Sequence, residues 1–429
     1  MSTLLIAGGQ VLRPDLSVER ADVLVDQETG DIRSVGQVEG ADEVLHADGG
    51  VVMPGLANAH THAAMTLLRG YADDKALDRW LEGDIWPAEA AMGERDVKVG
   101  TELALAEMIQ SGTTAFGDMY FHVEAVADAV AQAGVKARLS HGVVTAGKDE
   151  EDGRADAEEG MRVARELDGS ADGRVRTAFS PHSLTTVDEE TLRAFVPEAR
   201  AAGVPLHYHA NETVDEVEPI VSDRDMRPLE YAADVGMLET GDMLAHGVHL
   251  NQTEIELLGA SGAALVHCPA SNMKLASGMA PIMDALDAGV SVALGTDGAA
   301  SNNDLDLFDE MRDAAMVGKL RADDPAAVAA EAAVRMATEG GYEALGFDGG
   351  RIEPGAPADL VVVDFQRPGL TPVHDVVSNL VYAAKGSDVR HTLVDGQVLM
   401  RDGSLTTLDE EAVRRRAADR ARLLAERAE

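Results

Sequence analysis

Residues 51–62 read Val51-Val52-Met53-Pro54-Gly55-Leu56-Ala57-Asn58-Ala59-His60-Thr61-His62, an apolar run that ends in two histidines one residue apart. In extended backbone alternate side chains face the same way, so His60 and His62 project together with Thr61 opposite. Neutral imidazole is a common ligand for zinc-like ions, and two on one strand end make a bidentate claw. His-x-His also occurs on solvated loops, so a metal reading needs ligands from elsewhere. Useful side chains do recur near the ends of other apolar runs: Asp118, His141, His182, His207 with His209 and Glu212, His246 with His249, His267, and Asp297. With His60 and His62, these hold nine of the chain's 13 histidines.

A catalytic zinc takes three or four nitrogen and oxygen donors and keeps a position for water. His60 and His62 give two. His207 and His209 share a parity, so one of them suffices. His209 stands three residues before Glu212, which puts that carboxylate near a bound water but off the ion. Asp297, in Gly295-Thr296-Asp297-Gly298, adds an oxygen donor able to take the water's proton. The predicted metal set is His60, His62, His209 and Asp297 around one ion, with Glu212 beside it. A second ion would need a bridging ligand, and residues 175–182 contain no lysine to supply one.

Something must bring these distant residues together. Strand-like runs are predicted at 51–60, 113–118, 136–144, 175–182, 204–212, 243–249, 263–267 and 291–297, with helical periodicity between them, as at 97–110, 123–133, 189–201 and 281–288. Eight such units argue for an α/β chain with a (β/α)8 TIM-type barrel, whose active site lies where the strands end. No Gly-x-Gly-x-x-Gly follows the first strand, so a dinucleotide fold lacks its fingerprint. Short β-like runs near 4–7, 10–12, 21–25 and 32–35 return at 360–363, 379–382, 392–394 and 397–399. They predict a small β-sandwich domain built from both termini: residues 1–53 and 346–429 flank a barrel at 54–345, and 408–428 form an exposed terminal helix. Its interspersed Arg and Glu suit solvent or a homo-oligomer contact.

Composition limits the partners. The 429 residues are 45% apolar, enough for a large core, and 36 Lys and Arg stand against 76 Asp and Glu, a net charge of −40. Such a surface repels nucleic acid and anionic membranes. The acids are spread along the chain without an acidic tail, as in a solvated coat suited to strong salt. The single Cys268 excludes an internal disulfide and suits a reducing cytoplasm. No basic leader with an apolar core and no apolar run of roughly 20 residues is present, so a soluble cytoplasmic protein is expected.

The chain resembles the amidohydrolase superfamily, and within it the 5-methylthioadenosine/S-adenosylhomocysteine deaminases. The motifs are Pro54 to His62, His209-Ala210-Asn211-Glu212, Leu244-Ala245-His246-Gly247-Val248-His249-Leu250, His267-Cys268-Pro269-Ala270-Ser271-Asn272-Met273-Lys274-Leu275, and Gly295-Thr296-Asp297-Gly298-Ala299-Ala300-Ser301-Asn302-Asn303; the segment Ile352 to Val362 matches the return into the small domain. The resemblance implies one divalent metal, usually zinc, on His60, His62, His209 and Asp297. It implies that Glu212 carries protons to the ring nitrogen and that His246 orients the attacking water. The implied reaction is hydrolytic deamination of a small purine nucleoside, a 5′-modified adenosine, to its inosine analogue and ammonia. Glu89, in Trp86-Pro87-Ala88-Glu89, matches a glutamate that holds the ribose hydroxyls, as a bidentate acceptor can. His182 matches a residue that contacts the purine. Arg154 matches one of two arginines associated with the amino-acid carboxylate of S-adenosylhomocysteine. The other position is His141, a weaker clamp than arginine, which shifts the expectation towards methylthioadenosine or another 5′-modified adenosine.

Other readings stand beside these. A related amidohydrolase could act on 5′-deoxyadenosine, adenosine, guanine, cytosine or a chloro-triazine, since the loops decide the substrate. A barrel with a structural metal is a third reading, against which Glu212 speaks. His207 suits a packed neighbour of the site, His249 and His267 suit hydrogen bonds to loops, and Asp118 suits a helix cap or turn. Arg154, among acids, suits a surface ion pair.

Overall fold

The computed structural model describes residues 2–428. Parallel strands Leu56–Thr61, Thr113–Tyr120, Lys136–Val143 and Val175–Thr177 lie side by side in chain order, and Ser180–Pro181 pairs with the end of Lys136–Val143. A second parallel sheet runs His207–Ala210, Met243–His246, Ala264–His267, Ser291–Leu294, again in chain order. The two sheets meet along both edges. Bridges join Phe179 to Leu206 and Ser183 to His209 on one side. On the other, the Asp297 N–H donates to the His60 carbonyl at 3.0 Å. That approach requires glycine beside it, since a Cβ on Gly295 would lie 2.9 Å from the His60 backbone nitrogen.

These strands are buried along almost their whole length, as expected of parallel strands covered by crossover helices. The helices carry ordinary end signals. Glu94–Gln110 starts with Glu94 and Asp96 at the positive end of its dipole, and Asp96 Oδ2 accepts the Gly93 N–H at 3.0 Å. Val123–Ala133 stops at Gly134, whose φ of 88° lets the chain leave the helix.

Both chain ends supply a second β layer. A seven-stranded sheet runs in the order Ser404–Leu405, Gln397–Arg401, Val389–Val394, Leu360–Asp364, Gly50–Pro54, Gln10–Leu12, Val18–Arg20. A four-stranded sheet runs Ile32–Gly36, Asp22–Asp26, Thr3–Ala7, Glu43–His46. Ile6, Val23, Val52, Val362 and Leu393, from both sheets, share one apolar cluster.

Four sequence expectations change. The run 51–60 is two strands in different sheets: the Gly55 N–H donates to Asp359 O and the Leu56 N–H to Gly112 O, so the chain changes partners at that glycine. The run 175–182 is interrupted between Thr177 and Ser180. Residues 379–382 belong to a helix, Val376–Tyr382, because Asp375 caps it by accepting the Ser378 N–H at 2.8 Å. The terminal helix Glu410–Ala428 is not simply exposed. It buries Val413, Ala417 and Leu424 and packs on Glu94–Gln110, with Arg416 on Glu102 at 2.6 Å and Arg420 and Arg427 both on Asp96. Among the described residues no helix is long and apolar enough to cross a membrane.

Candidate active site

The ends of the parallel strands bring the expected donors together. His60 is the last residue but one of Leu56–Thr61 and His62 follows that strand; His209 and His246 lie on adjacent strands whose register sets Ala210 beside His246; Asp297 follows Ser291–Leu294. Asp297 Oδ1 lies 3.2 Å from His62 Nε2 and 3.5 Å from His60 Nε2, and the Nε2 atoms of His62 and His209 are 3.4 Å apart. Two ligands each about 2.0–2.1 Å from one tetrahedral ion would be separated by about 3.4 Å, so these spacings suit a single zinc-like cation. His60 Nε2 is buried with no hydrogen-bond partner, an orphan that a cation would satisfy. His246 joins His60 and His209 in a second grouping whose ligand atoms lie within 4.8 Å of one another.

The opposite face of each ring is held. His62 Nδ1 lies 2.7 Å from the Met119 carbonyl and His209 Nδ1 2.7 Å from the His182 carbonyl. A carbonyl only accepts, so both Nδ1 atoms carry a proton and both Nε2 atoms face the centre, as in metal sites whose ligands are fixed by outer partners. His60 Nδ1 meets His207 Nε2 at 2.9 Å, so His207 buttresses a candidate ligand. Asp297 Oδ2 accepts the hydroxyls of Ser271 and Ser301, both at 2.7 Å, which leaves Oδ1 facing His60 and His62. Asp118 Oδ1 accepts from Thr61 Oγ1 at 3.0 Å and from the Ala63 N–H at 2.7 Å, pinning the turn after the His-x-His pair.

Electrostatics favour positive charge at the centre. Burial alone would raise the Asp297 carboxyl, yet His60 and His62 beside it hold it well below the usual carboxylate range. Burial would lower His62, but Asp297 pushes it up to about 9. Burial pushes His60 down to about 4 and His209 well below the ordinary imidazole range, which keeps these rings neutral as ligands must be. Glu212 is raised by burial and stands 3.6 Å from His246 Nε2. Its own N–H donates to Glu216 Oε2 at 2.8 Å. Asn211, His246 and Asp297 all take left-handed backbone, with φ of 55°, 78° and 62°; such conformations gather at functional sites.

One cavity of about 420 Å³ joins these groups, lined by His62, His209, His246, Asp297 and Glu212, and also by His182 and Glu89. The His182 ring Nδ1 lies 3.0 Å from Thr186 Oγ1, and burial takes it down to about 3. Glu89 Oε1 is buried without a hydrogen-bond partner, and burial pushes its carboxyl up to about 7. Two expected substrate contacts do not arrive. Arg154 is 69% exposed and paired with Glu158 at 2.9 Å, because it lies on the outer face of Glu150–Glu166. His141 turns towards that helix and pairs with Asp156 at 2.9 Å. His249 Nε2 donates to Ser277 O, and His267 is buried with both ring nitrogens unpartnered.

Sequence reasoning did not single out Ser271, Asn272, Ser301 or Glu216. The first three sit inside motifs that include His267 and Asp297, and Glu216 is one helical turn after Glu212, so proximity was the only available signal. As a whole, the arrangement can hold a cation and a water against imidazole and carboxylate donors, with a carboxyl able to carry a proton into the cavity.

The amidohydrolase family pattern matches residues 51–399. A 5-methylthioadenosine/S-adenosylhomocysteine deaminase of Natronomonas pharaonis is 63% identical over 429 residues, 100% of each chain. A 5′-deoxyadenosine deaminase of Methanosarcina acetivorans is 47% identical over 403 residues, 94% of this chain and 93% of that one. A solved adenosine deaminase from Xanthomonas campestris with bound zinc superposes with a TM-score of 0.93 at 35% identity, over 99% of each chain.

Proposed function

The chain belongs to the amidohydrolase family and is a metal-dependent hydrolase of the deaminase kind, and from that premise we propose that it deaminates 5′-modified adenosines of the 5-methylthioadenosine and S-adenosylhomocysteine class to the inosine analogue and ammonia. The observation that carries this reading is Glu212 facing His246 beside the His60, His62, His209 and Asp297 donors in one cavity that also contains Glu89.

One zinc or similar divalent ion per chain would be held by His60, His62, His209 and Asp297, and when bound it supplies a Lewis acid that brings the pKa of a coordinated water to about 7. The chain's own residues do the rest. Asp297 takes a proton from the attacking water, its carboxylate fixed in place because Oδ2 is tied to Ser271 and Ser301. Glu212, readily protonated in its buried setting, donates its proton to N1 of the purine as water adds at C6; the proton taken by Asp297 passes to the leaving amino group, and the hydroxyl proton of the tetrahedral centre returns to Glu212 as ammonia departs. His246 presents Nε2 to the same region and orients the water. Glu89 accepts the two ribose hydroxyls, and neutral His182 meets the purine.

We read the two parallel sheets as one (β/α)8 barrel at 54–345, with a small β-sandwich from 1–53 and 346–429. The contacts along both sheet edges and the shared apolar cluster support this, and it sets the site at the strand ends where barrel enzymes build theirs. The acidic surface and one buried cysteine support a cytoplasmic enzyme whose partner is the nucleoside itself.

Product release from 5-methylthioadenosine, adenosine, guanine, cytosine and a chloro-triazine tests the reading. Ammonia from the adenosines, with little from the free bases and no chloride from the triazine, is expected. Equal turnover of a free base or the triazine would overturn it.

A further inference from the structure

We propose that Glu216 is a positioning residue for the reaction: by accepting the N–H of Glu212 it fixes the backbone from which the Glu212 carboxyl reaches His246 and the purine. The inference rests on the deaminase reading and adds a residue to it.

Glu212 lies between two regular elements. Strand His207–Ala210 ends two residues before it, and helix Val214–Arg224 begins two residues after it. Its N–H therefore has neither a ladder nor a helical acceptor, and a buried N–H needs one. On one side the turn passes through Asn211 in left-handed backbone, with φ of 55°. On the other, Glu216 occupies the third position of the helix. An acid at that position ordinarily turns back to the N–H of the capping residue, which here is Thr213. Glu216 reaches one residue further, and its Oε2 accepts the Glu212 N–H at 2.8 Å. The cap itself is made by Thr213, whose Oγ1 accepts the Glu216 N–H at 3.2 Å.

Glu254 also holds this turn, and the contrast is informative. It accepts Asn211 Nδ2 at 3.0 Å, and its charge is met by Arg227 at 2.8 Å. Glu216 has no such counterion: among the described residues no ion pair involves it, and its Oε1 is buried without a hydrogen-bond partner. The ionisable groups facing it are Glu212, His246 and Glu254, and burial pushes its carboxyl up to about 7. Near neutrality it carries only part of a charge, and it offers Glu212 an acceptor oxygen in either form. A buried carboxyl without a counterion is a costly way to hold a helix end that Thr213 already caps. Its side-chain bond goes instead to the proton-carrying residue, where a displacement of about 1 Å can cost about 100-fold in rate.

The test measures kcat and KM for 5-methylthioadenosine, zinc per chain and thermal unfolding in zinc-loaded variants. Glu216→Ala is expected to lower kcat about 10–100-fold, with KM within about threefold and zinc content unchanged. Glu216→Gln keeps an oxygen acceptor at the same reach and should retain kcat within about threefold. Thr213→Ala weakens the same helix end and leaves the bond to Glu212 in place, so its unfolding temperature should fall while kcat stays within about threefold. If Glu216→Ala does not fold, Glu216→Asp, one methylene short of the Glu212 N–H, carries the same expectation. A Glu216→Ala kcat equal to that of the unaltered enzyme, or a loss confined to KM, overturns the inference. So does a Glu216→Gln or a Thr213→Ala that falls as far as Glu216→Ala. In each of those cases ammonia release by the unaltered protein leaves the deaminase reading standing, whereas no release from any adenosine removes both.

Discussion

His246 and Asn272 are joined through imidazole Nδ1 and amide Oδ1, 3.0 Å apart. An amide oxygen only accepts, so Nδ1 holds the proton and Nε2 is the atom turned towards Glu212, 3.6 Å away. Asn272→Ala frees the ring to rotate or change tautomer. Activity is expected to fall about 10–100-fold, mainly in kcat, with the fold intact by circular dichroism.

In the proposed mechanism Glu212 carries the proton and is not one of the four donors to the ion. Glu212→Gln keeps the shape and removes the titratable group. Turnover should drop about 100- to 10,000-fold, while elemental analysis finds the same metal content as in the unaltered protein.

Glu89 has a pH signature. Burial raises its carboxyl to about 7, so the carboxylate form that accepts two hydroxyls prevails only above that pH. KM for a ribosylated substrate is expected to improve as pH rises through about 7. Glu89→Gln should raise KM and remove that dependence, and a hydrogen bond to a charged group is worth about 1.5–3 kcal/mol. A KM profile of the variant parallel to that of the unaltered enzyme would count against the ribose role.

Asp156 explains why His141 does not reach the cavity. Its carboxylate takes His141 Nε2 at 2.9 Å and Lys148 Nζ and the Val144 N–H at 2.8 Å, and although burial opposes ionisation these partners bring it down to about 2. A depressed carboxyl stabilises the fold above its unfolded pKa, near 3.8, and that stability is lost as pH falls towards 2. Asp156→Asn should cost roughly 2 kcal/mol at neutral pH. In denaturant unfolding the difference should persist at pH 5 and shrink below pH 4.

Much of this site was legible because strands impose a parity. His60 and His62 had to share a face, and a ligand three residues from Glu212 fixed His209 over His207. Direction at longer range was not legible. His141 and Arg154 match by position, yet Asp156, on the same helix as Arg154, draws His141 outward and Glu158 holds Arg154 at the surface. Nor does apolar content reveal a change of sheet: residues 51–60 are apolar throughout, and only the hydrogen bonds at Gly55 and Leu56 divide them. Asn379 to Tyr382 is similar, a β-prone run made helical by the cap of Asp375.

The central claim is tested most directly by ammonia release from 5-methylthioadenosine as a function of zinc bound per chain. Chelated protein should release none, and activity should return in proportion to added zinc and level off at about one equivalent per chain, one ammonia appearing for each inosine analogue formed. Release that survives full chelation, or zinc-loaded protein that releases no ammonia, would contradict the account.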